Sequence, residues 1–218
     1  MILSPFLISF KVVVISVAIS LIISIIGCYF LIEKEMRGKS IIETIILFPM
    51  FLPPSAIGYL ILIALGKRGF IGELLLQNFN ITIIFTWIAA VVSGVVVSLP
   101  VMYQSIKTPL LGVNEDIKNA GREMGAKDRQ VFRMISLPLC KKGILTGVIL
   151  SIARVFGEFG ATILVAGNIP GKTQTVPMAM YYAIENNDEM LAKTILIIIV
   201  IISMVLTMSY NKILKKIA

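Results

Sequence analysis

The sequence predicts an all-α polytopic membrane protein with five transmembrane helices, on the strength of composition, charge-free runs and the placement of basic residues. Of 218 residues, 57% are hydrophobic and 15% charged, against about 45–50% and about 25% in an average soluble domain. Too little polar surface remains to clothe a water-soluble body. Val12 to Ile32, Thr44 to Gly66, Ile83 to Tyr103 and Thr194 to Asn211 contain no Asp, Glu, Lys or Arg. Each run approaches or exceeds the roughly 18–20 residues that cross a hydrocarbon layer as a helix. A fifth run, Gly143 to Gly167, is interrupted only by Arg154 and Glu158.

The expected organisation is a single domain, 1–218, with spans at about 10–32, 41–66, 83–104, 141–165 and 192–212. The first is read as a retained span. Its apolar core outruns the roughly 7–15 residues of a signal sequence, and no basic stretch precedes Lys11.

Lys and Arg set the orientation, because cytoplasmic loops collect them. EKEMRGK supplies Lys34, Arg37 and Lys39. The long segment at about 105–140 and its end supply Lys107, Lys118, Arg122, Lys127, Arg129, Arg133, Lys141 and Lys142, and the C-terminal stretch Lys212, Lys215 and Lys216. These are fourteen of the twenty basic residues. All fall on one side if the N-terminus is outside and the C-terminus cytoplasmic. The opposite side keeps Lys11, Lys67, Arg68, Lys172 and Lys193. Topology therefore accounts for the net charge of +8, and a nucleic-acid partner is unnecessary.

Catalytic chemistry finds little footing. The chain has no His, so the usual imidazole bases and zinc ligands are excluded. Cys28 and Cys140 lie far apart, one in a span and one at a loop boundary, which suggests neither a disulfide framework nor a metal site. No cofactor is expected. AGNIPGKT (166–173) nearly matches a phosphate-cradling loop, but that motif counts only between a strand and a helix. Here it follows a membrane helix on the outer face, where there is no ATP.

The inner loop carries the strongest pattern. In NEDIKNAGREMGAKDRQVFRMISLPL, Asn114 can cap a short helix with Glu115 and Asp116 in its first turn. Ile117, Ala120, Gly121 and Met124 recur on one face, and Gly125 can end the helix in a left-handed conformation. A second helix is expected over about 128–135, followed by Pro138. One reading is an amphipathic hairpin on lipid headgroups; the other, favoured by the small, partly acidic first face, is insertion into a partner's groove.

This loop resembles the EAA motif of importer-type ABC permeases: EAA, three residues, Gly, nine residues, Ile, one residue, Leu-Pro. Asn119, Ala120 and Gly121 stand for EAA, with Asn119 in place of the acid and Gly121 in place of the second Ala. Gly125, Ile135, Leu137 and Pro138 follow in register. The resemblance implies an ABC importer permease fold whose coupling helix docks on a separate ATPase subunit. Ala120, Gly121 and Gly125 would be contact or turn positions, while Ile135, Leu137 and Pro138 would brace the loop against the spans.

Inside the membrane, Arg154 and Glu158 lie four residues apart on one helical face. A charge at the bilayer centre costs about 2.5–3.5 kcal/mol on insertion scales and usually faces a bundle interior or an aqueous path. The pair either locks helices together or moderates the passage of an anion, Arg154 attracting it and Glu158 preventing a trap. Gly157, Gly160 and Thr162 surround the pair with small residues that permit close packing. Pro49, Pro53 and Pro54 interrupt the second hydrophobic run and Pro100 lies near the end of the third, marking a gate or plain kinks.

FPMFLPPSAIGYLILIALGKRGFIGE, ITIIFTWIAAVVSGVVVSLPVMYQSIK and RVFGEFGATILVAGNIPGKTQTVPMAMY resemble the permease subunits of bacterial and archaeal molybdate importers. NIPGKTQT separates them from sulfate and thiosulfate permeases, which remain the alternative within the same fold. The resemblance implies a homodimer in the cell membrane, surrounded by lipid, with two ABC ATPase subunits inside and an oxyanion-binding protein outside. Lys67, Arg68 and Lys172 are candidates for docking that protein or steering the dianion. Two competing classes are a membrane-embedded enzyme using Arg154, Glu158 and Glu43, which the absence of His weakens, and an autonomous channel or secondary carrier, which would not need the inner-loop motif.

Overall fold

Pro53 and Pro54 decide the shape of the second hydrophobic segment. A proline drives the residue before it out of the helical region, and Pro53 is extended at φ −57°, ψ 140°. Pro54 then occupies the first turn of a new helix, where its missing N–H is harmless. The segment consequently divides into α2 (Lys39–Leu47), a 3-10 turn (Phe48–Phe51) and α3 (Pro54–Leu65). The computed structural model describes residues 2–34 and 38–217; Arg37 of the basic EKEMRGK stretch lies outside them.

Among the described residues the chain is helical, without strands. α1 (Leu3–Cys28) runs into a π-helical turn, Tyr29–Glu33. α4 (Phe70–Phe79) follows α3, and α5 (Trp87–Leu111) continues past Gln104 by more than a turn, with Pro100 and Pro109 inside it. Next come α6 (Glu115–Glu123), α7 (Asp128–Val131), a π-helical turn (Phe132–Ser136) and α8 (Leu137–Leu139). α9 (Lys141–Phe156), α10 (Gly160–Ala166), α11 (Val176–Glu185) and α12 (Glu189–Ile217) complete the order.

Three helical stretches are individually long and apolar enough to cross a membrane: Leu3–Glu33, Trp87–Leu111 and Glu189–Lys212. Two of the five expected spans are therefore not single helices. One breaks at Pro53; the other breaks between α9 and α10. A bend of 70° also separates Asp128–Leu139 from Lys141–Phe156.

α5 is the hub, and small residues let its neighbours approach. Ser9, Ser16, Ser20 and Ser24 form a buried stripe along α1. Ser16 donates to the Val91 carbonyl at 3.0 Å, and Ser20 and Ser98 share a hydrogen bond of 2.7 Å. Such bonds hold helices together where lipid leaves little hydrophobic driving force. On the other flank, Gly143 and Gly147 form a GxxxG pair. A Cβ on Gly143 would lie 2.3 Å from the Ser105 carbonyl, and one on Gly147 would touch Met102 Sδ at 3.0 Å. α12 packs on α9 and α11 and leaves most of its apolar surface outward: Ile197, Val200, Ile201, Met204 and Met208 are exposed.

α4 lies in the connection at 67–82 and α11 in that at 166–191, between the expected spans. α11 packs against α1 and α12, and Val176 N donates to Ser9 Oγ at 2.8 Å.

Candidate functional site: a capped hairpin and two broken spans

Asn114 Oδ1 accepts from Asp116 N at 2.8 Å, capping α6 as its sequence position suggests. At the other end Gly125 has φ 91°, a conformation that favours glycine. Ala126 N donates to the Gly121 carbonyl at 3.1 Å and Gly125 N to Arg122 at 2.9 Å, which is a Schellman closure. Gln130 Oε1 then accepts from Lys127 N at 2.8 Å, opening α7. Arg122 spans the turn, from Asn119 Oδ1 at 2.7 Å to Asp128 Oδ1 at 3.1 Å. The hairpin is locally self-consistent.

Its two faces differ. Ile117, Ala120 and Met124 point outward, Met124 with 89% of its surface exposed. Gly121 points inward: a Cβ there would lie 2.7 Å from Ile135 Cδ1. Gly121 is thus a seat for the following helix, a correction to its expected place on the outward face. Ile135 braces α6 by this contact and Leu137 packs on the core. Pro138 is exposed and occupies the first turn of α8 just before the sharp bend into α9.

Lys118 also faces inward. Only 4% of its side chain is exposed, and its Nζ lies 3.1 Å from Glu33 Oε1 and 2.9 Å from Glu115 Oε1. Burial alone would lower the lysine pKa, but the two carboxylates outweigh it and hold it above the usual value. The hydrogen bond from Lys118 correspondingly holds Glu115 below the usual carboxylate value, against a smaller opposing effect of burial. Ser136 Oγ donates to the same Glu33 oxygen at 3.1 Å. A second tie lies alongside: Lys107 Nζ approaches Glu43 Oε1 at 2.8 Å and Tyr103 Oη donates to it at 2.6 Å, fastening α2 to α5. Glu43 thus serves as a structural anchor.

The two broken spans meet. α10 crosses α3 so closely that a Cβ on Gly58 would stand 2.8 Å from the Cα of Ala161, and one on Gly160 2.8 Å from Pro54 Cβ. Pro54 and Gly160 thus meet at this crossing, with Pro53 and Gly157 flanking them in sequence. Glu158 is 3% exposed; one carboxylate oxygen pairs with Arg154 Nη1 and the other accepts from Ala161 N at 2.8 Å. It neutralises Arg154 and caps α10 at once. Arg154 keeps a third of its side chain accessible. Thr162 does not line an open path: it is buried against α5, sharing a hydrogen bond of 2.9 Å with Ser93.

Lys67 and Arg68 are exposed at the α3–α4 turn, with Lys67 beside a cleft of about 360 Å³ that Gly66, Gly72 and Thr82 also line. Lys172 is exposed in the loop before α11. The N–H groups of Lys172, Thr173 and Gln174 all converge on the Ile169 carbonyl at 2.9–3.2 Å, and Thr173 Oγ1 closes the loop by donating to Gly167 at 2.8 Å. These three amides are spent on the loop's own backbone.

Glu33, Lys118 and Ser136 are absent from the sequence-derived site. Spacing gave one available signal: Lys118 and Gly121, three apart, mark the inward face of α6.

Residues 24–217 match the family described as binding-protein-dependent transport system inner membrane component. The putative molybdenum transport system permease protein YvgM of Bacillus subtilis is 40% identical over 92% of this chain and 88% of its own length. The molybdenum transport system permease protein ModB of Escherichia coli K12 is 42% identical over 82% of this chain and 78% of its own. The sulfate transport system permease protein CysW of Synechococcus elongatus is 33% identical, covering 88% and 67%. A bacterial ABC transporter involved in the import of alginate superimposes with a TM-score of 0.79 over 99% of this chain and 79% of that one, at 13% identity, a likeness of fold.

Proposed function

The chain belongs to the binding-protein-dependent transport system inner membrane components, a family of transport permease subunits and not of enzymes, and we propose that its cargo is molybdate. One observation carries the choice of anion. Identity to molybdenum permeases is 40–42% over most of the chain, against 33% to the sulfate permease of Synechococcus elongatus. Tungstate has nearly the same size and charge as molybdate and takes the same route. Discrimination between them falls to the binding protein.

In this reading the spans run with the N-terminus outside, as the fourteen clustered Lys and Arg favour. Two copies form the pore, because one chain of this size is small for a lined aqueous path and α12 leaves an apolar face uncovered. Two ATPase subunits grip the outward face of α6, and an oxyanion-binding protein docks near Lys67, Arg68 and Lys172. Work reaches the junction of α3 and α10 mechanically. Arg154 supplies positive potential beside that junction and Glu158 keeps the well shallow.

Co-purification with the ATPase and binding protein encoded nearby, followed by vanadate-sensitive hydrolysis in proteoliposomes, tests the proposal. Stimulation and uptake with binding protein loaded with molybdate or tungstate, and none with sulfate, is expected. Stimulation by sulfate alone would overturn the choice of cargo.

A further inference from the structure

Two π-helical turns, Tyr29–Glu33 at the end of α1 and Phe132–Ser136 beyond α7, face one another. The π-helix is rare and its single turns are frequent at functional sites. Here the two turns interlock. The Tyr29 and Phe132 rings lie 5.1 Å apart, and Ser136 donates to Glu33. Lys118 of α6 inserts its ammonium against the same carboxylate, with side-chain exposures of 4% for Lys118 and 6% for Glu33. Leu31, Val131 and Phe132, in or next to these turns, are buried.

A buried ion pair is poor evidence of net stabilisation, since desolvation offsets most of the attraction, but removing one partner strands the other charge. Its distinctive property is directional stiffness. Lys118 is bonded from its own helix by Glu115 and from α1 by Glu33, so α6 cannot shift along its axis without pulling the end of α1. The outward residues Ile117, Ala120 and Met124 leave this joint untouched. α6 therefore presents one face to a partner while its opposite face is fastened to the longest contact in the bundle, α1 against α5.

We propose that Glu33 and Lys118 are positioning residues: their buried pair carries displacement of α6 into α1, and its loss separates ATP hydrolysis from anion transfer. This rests on the permease reading above. It assigns to Glu33 a role that no docking surface contains, because Glu33 is buried and lies on another helix.

The experiment uses the full complex with ATPase and binding protein in proteoliposomes, reading molybdate moved per ATP hydrolysed. Glu33→Gln keeps the shape and an oxygen for Ser136 but removes the charge. It is expected to leave complex yield and vanadate-sensitive hydrolysis near wild type while the transport-to-hydrolysis ratio falls about tenfold, within the usual range of coupling free energies. Reversal of the pair, Glu33→Lys with Lys118→Glu in a Glu115→Gln background so that no carboxylate opposes the new one, is expected to restore most of the ratio. Ser136→Ala, a milder cut, should lower it partway. A wild-type ratio in Glu33→Gln overturns the proposal. So does a fall matched by equal loss of complex and hydrolysis that the reversal fails to rescue, since that is the behaviour of a merely structural pair. A wild-type complex that hydrolyses ATP without moving any oxyanion overturns the permease reading itself, and the joint with it.

Discussion

Gly58→Ala adds one methyl group where α3 crosses α10. The new Cβ would stand 2.8 Å from both the Cα and the carbonyl oxygen of Ala161, whereas relaxed carbon contacts lie at about 3.5–4.0 Å. α3 must therefore retreat by most of an ångström. Overpacking of this kind costs about 1–3 kcal/mol. If the crossing is closed in one transport state and open in the other, that energy shifts their ratio about 5–150-fold. The assay is thermal unfolding in detergent together with uptake in proteoliposomes. The control is Gly27→Ala, whose Cβ meets Tyr103 Cε2 at an ordinary 3.6 Å. Gly160→Ala, pressing on Pro54, should behave like Gly58→Ala. Because the obstructed atoms at Ala161 are backbone, Ala161→Gly should not rescue. Melting and uptake in Gly58→Ala indistinguishable from Gly27→Ala would refute the close crossing.

Glu158→Gln keeps an acceptor for Ala161 N–H and Glu158→Ala does not, so Glu158→Ala should be the less stable by about 1 kcal/mol, the usual worth of a cap; the reverse order of melting temperatures would remove the capping role. Ala120→Arg or Met124→Glu on the outward face of α6 should weaken association with the ATPase subunit by at least 2 kcal/mol, about 30-fold, if these are central contacts, measured by co-purification with the permease itself still folded. Lys118 has its pKa raised from 10.5, so its contribution to holding α6 is complete below that value and fades only as pH rises through the raised one. Glu115 has its pKa lowered from 4.5, so its share is present above that value and fades as pH falls through the lowered one. Hydrogen exchange in α6 should accordingly be unaltered, after correction for intrinsic rates, between about pH 5 and pH 9; marked loosening inside that window would contradict the arrangement.

What the sequence made legible was local. Asn114, Gly125 and the spacing to Ile135 announced a capped helix, a left-handed stop and a second helix, because each depends on residues within a few positions. The serine stripe of α1 and the Gly143–Gly147 pair were equally readable as small faces, yet composition alone drew attention to the apolar runs around them. Gly121 and Ala120 could not be told apart, since both are small and adjacent. Only the position of Ile135 decides which of them is a seat and which a surface. Likewise Cys140 is a loop-boundary thiol by sequence, but it is fully buried. A thiol probe of sidedness therefore needs a cysteine introduced at an exposed position such as Asp116.

The Glu33–Lys118 pair and the crossing of α3 and α10 could not be read as contacts, because each is made by residues distant in sequence. Glu33 reads as a solvated charge at a helix end until Lys118 and Ser136 are brought onto it. Pro53 reads as a kink and Glu158 as half of an ion pair until α3 and α10 cross. The crossing then gives the break between α9 and α10 a structural reason, as Pro53 and Pro54 do for the other span. Glu158 can satisfy the freed Ala161 N–H only if α9 stops at Gly157, and α10 can reach α3 only through the glycines at 58 and 160. A bundle of five straight helices would satisfy hydropathy equally well. It would lack the crossing of α3 and α10 at which the proposed passage is placed.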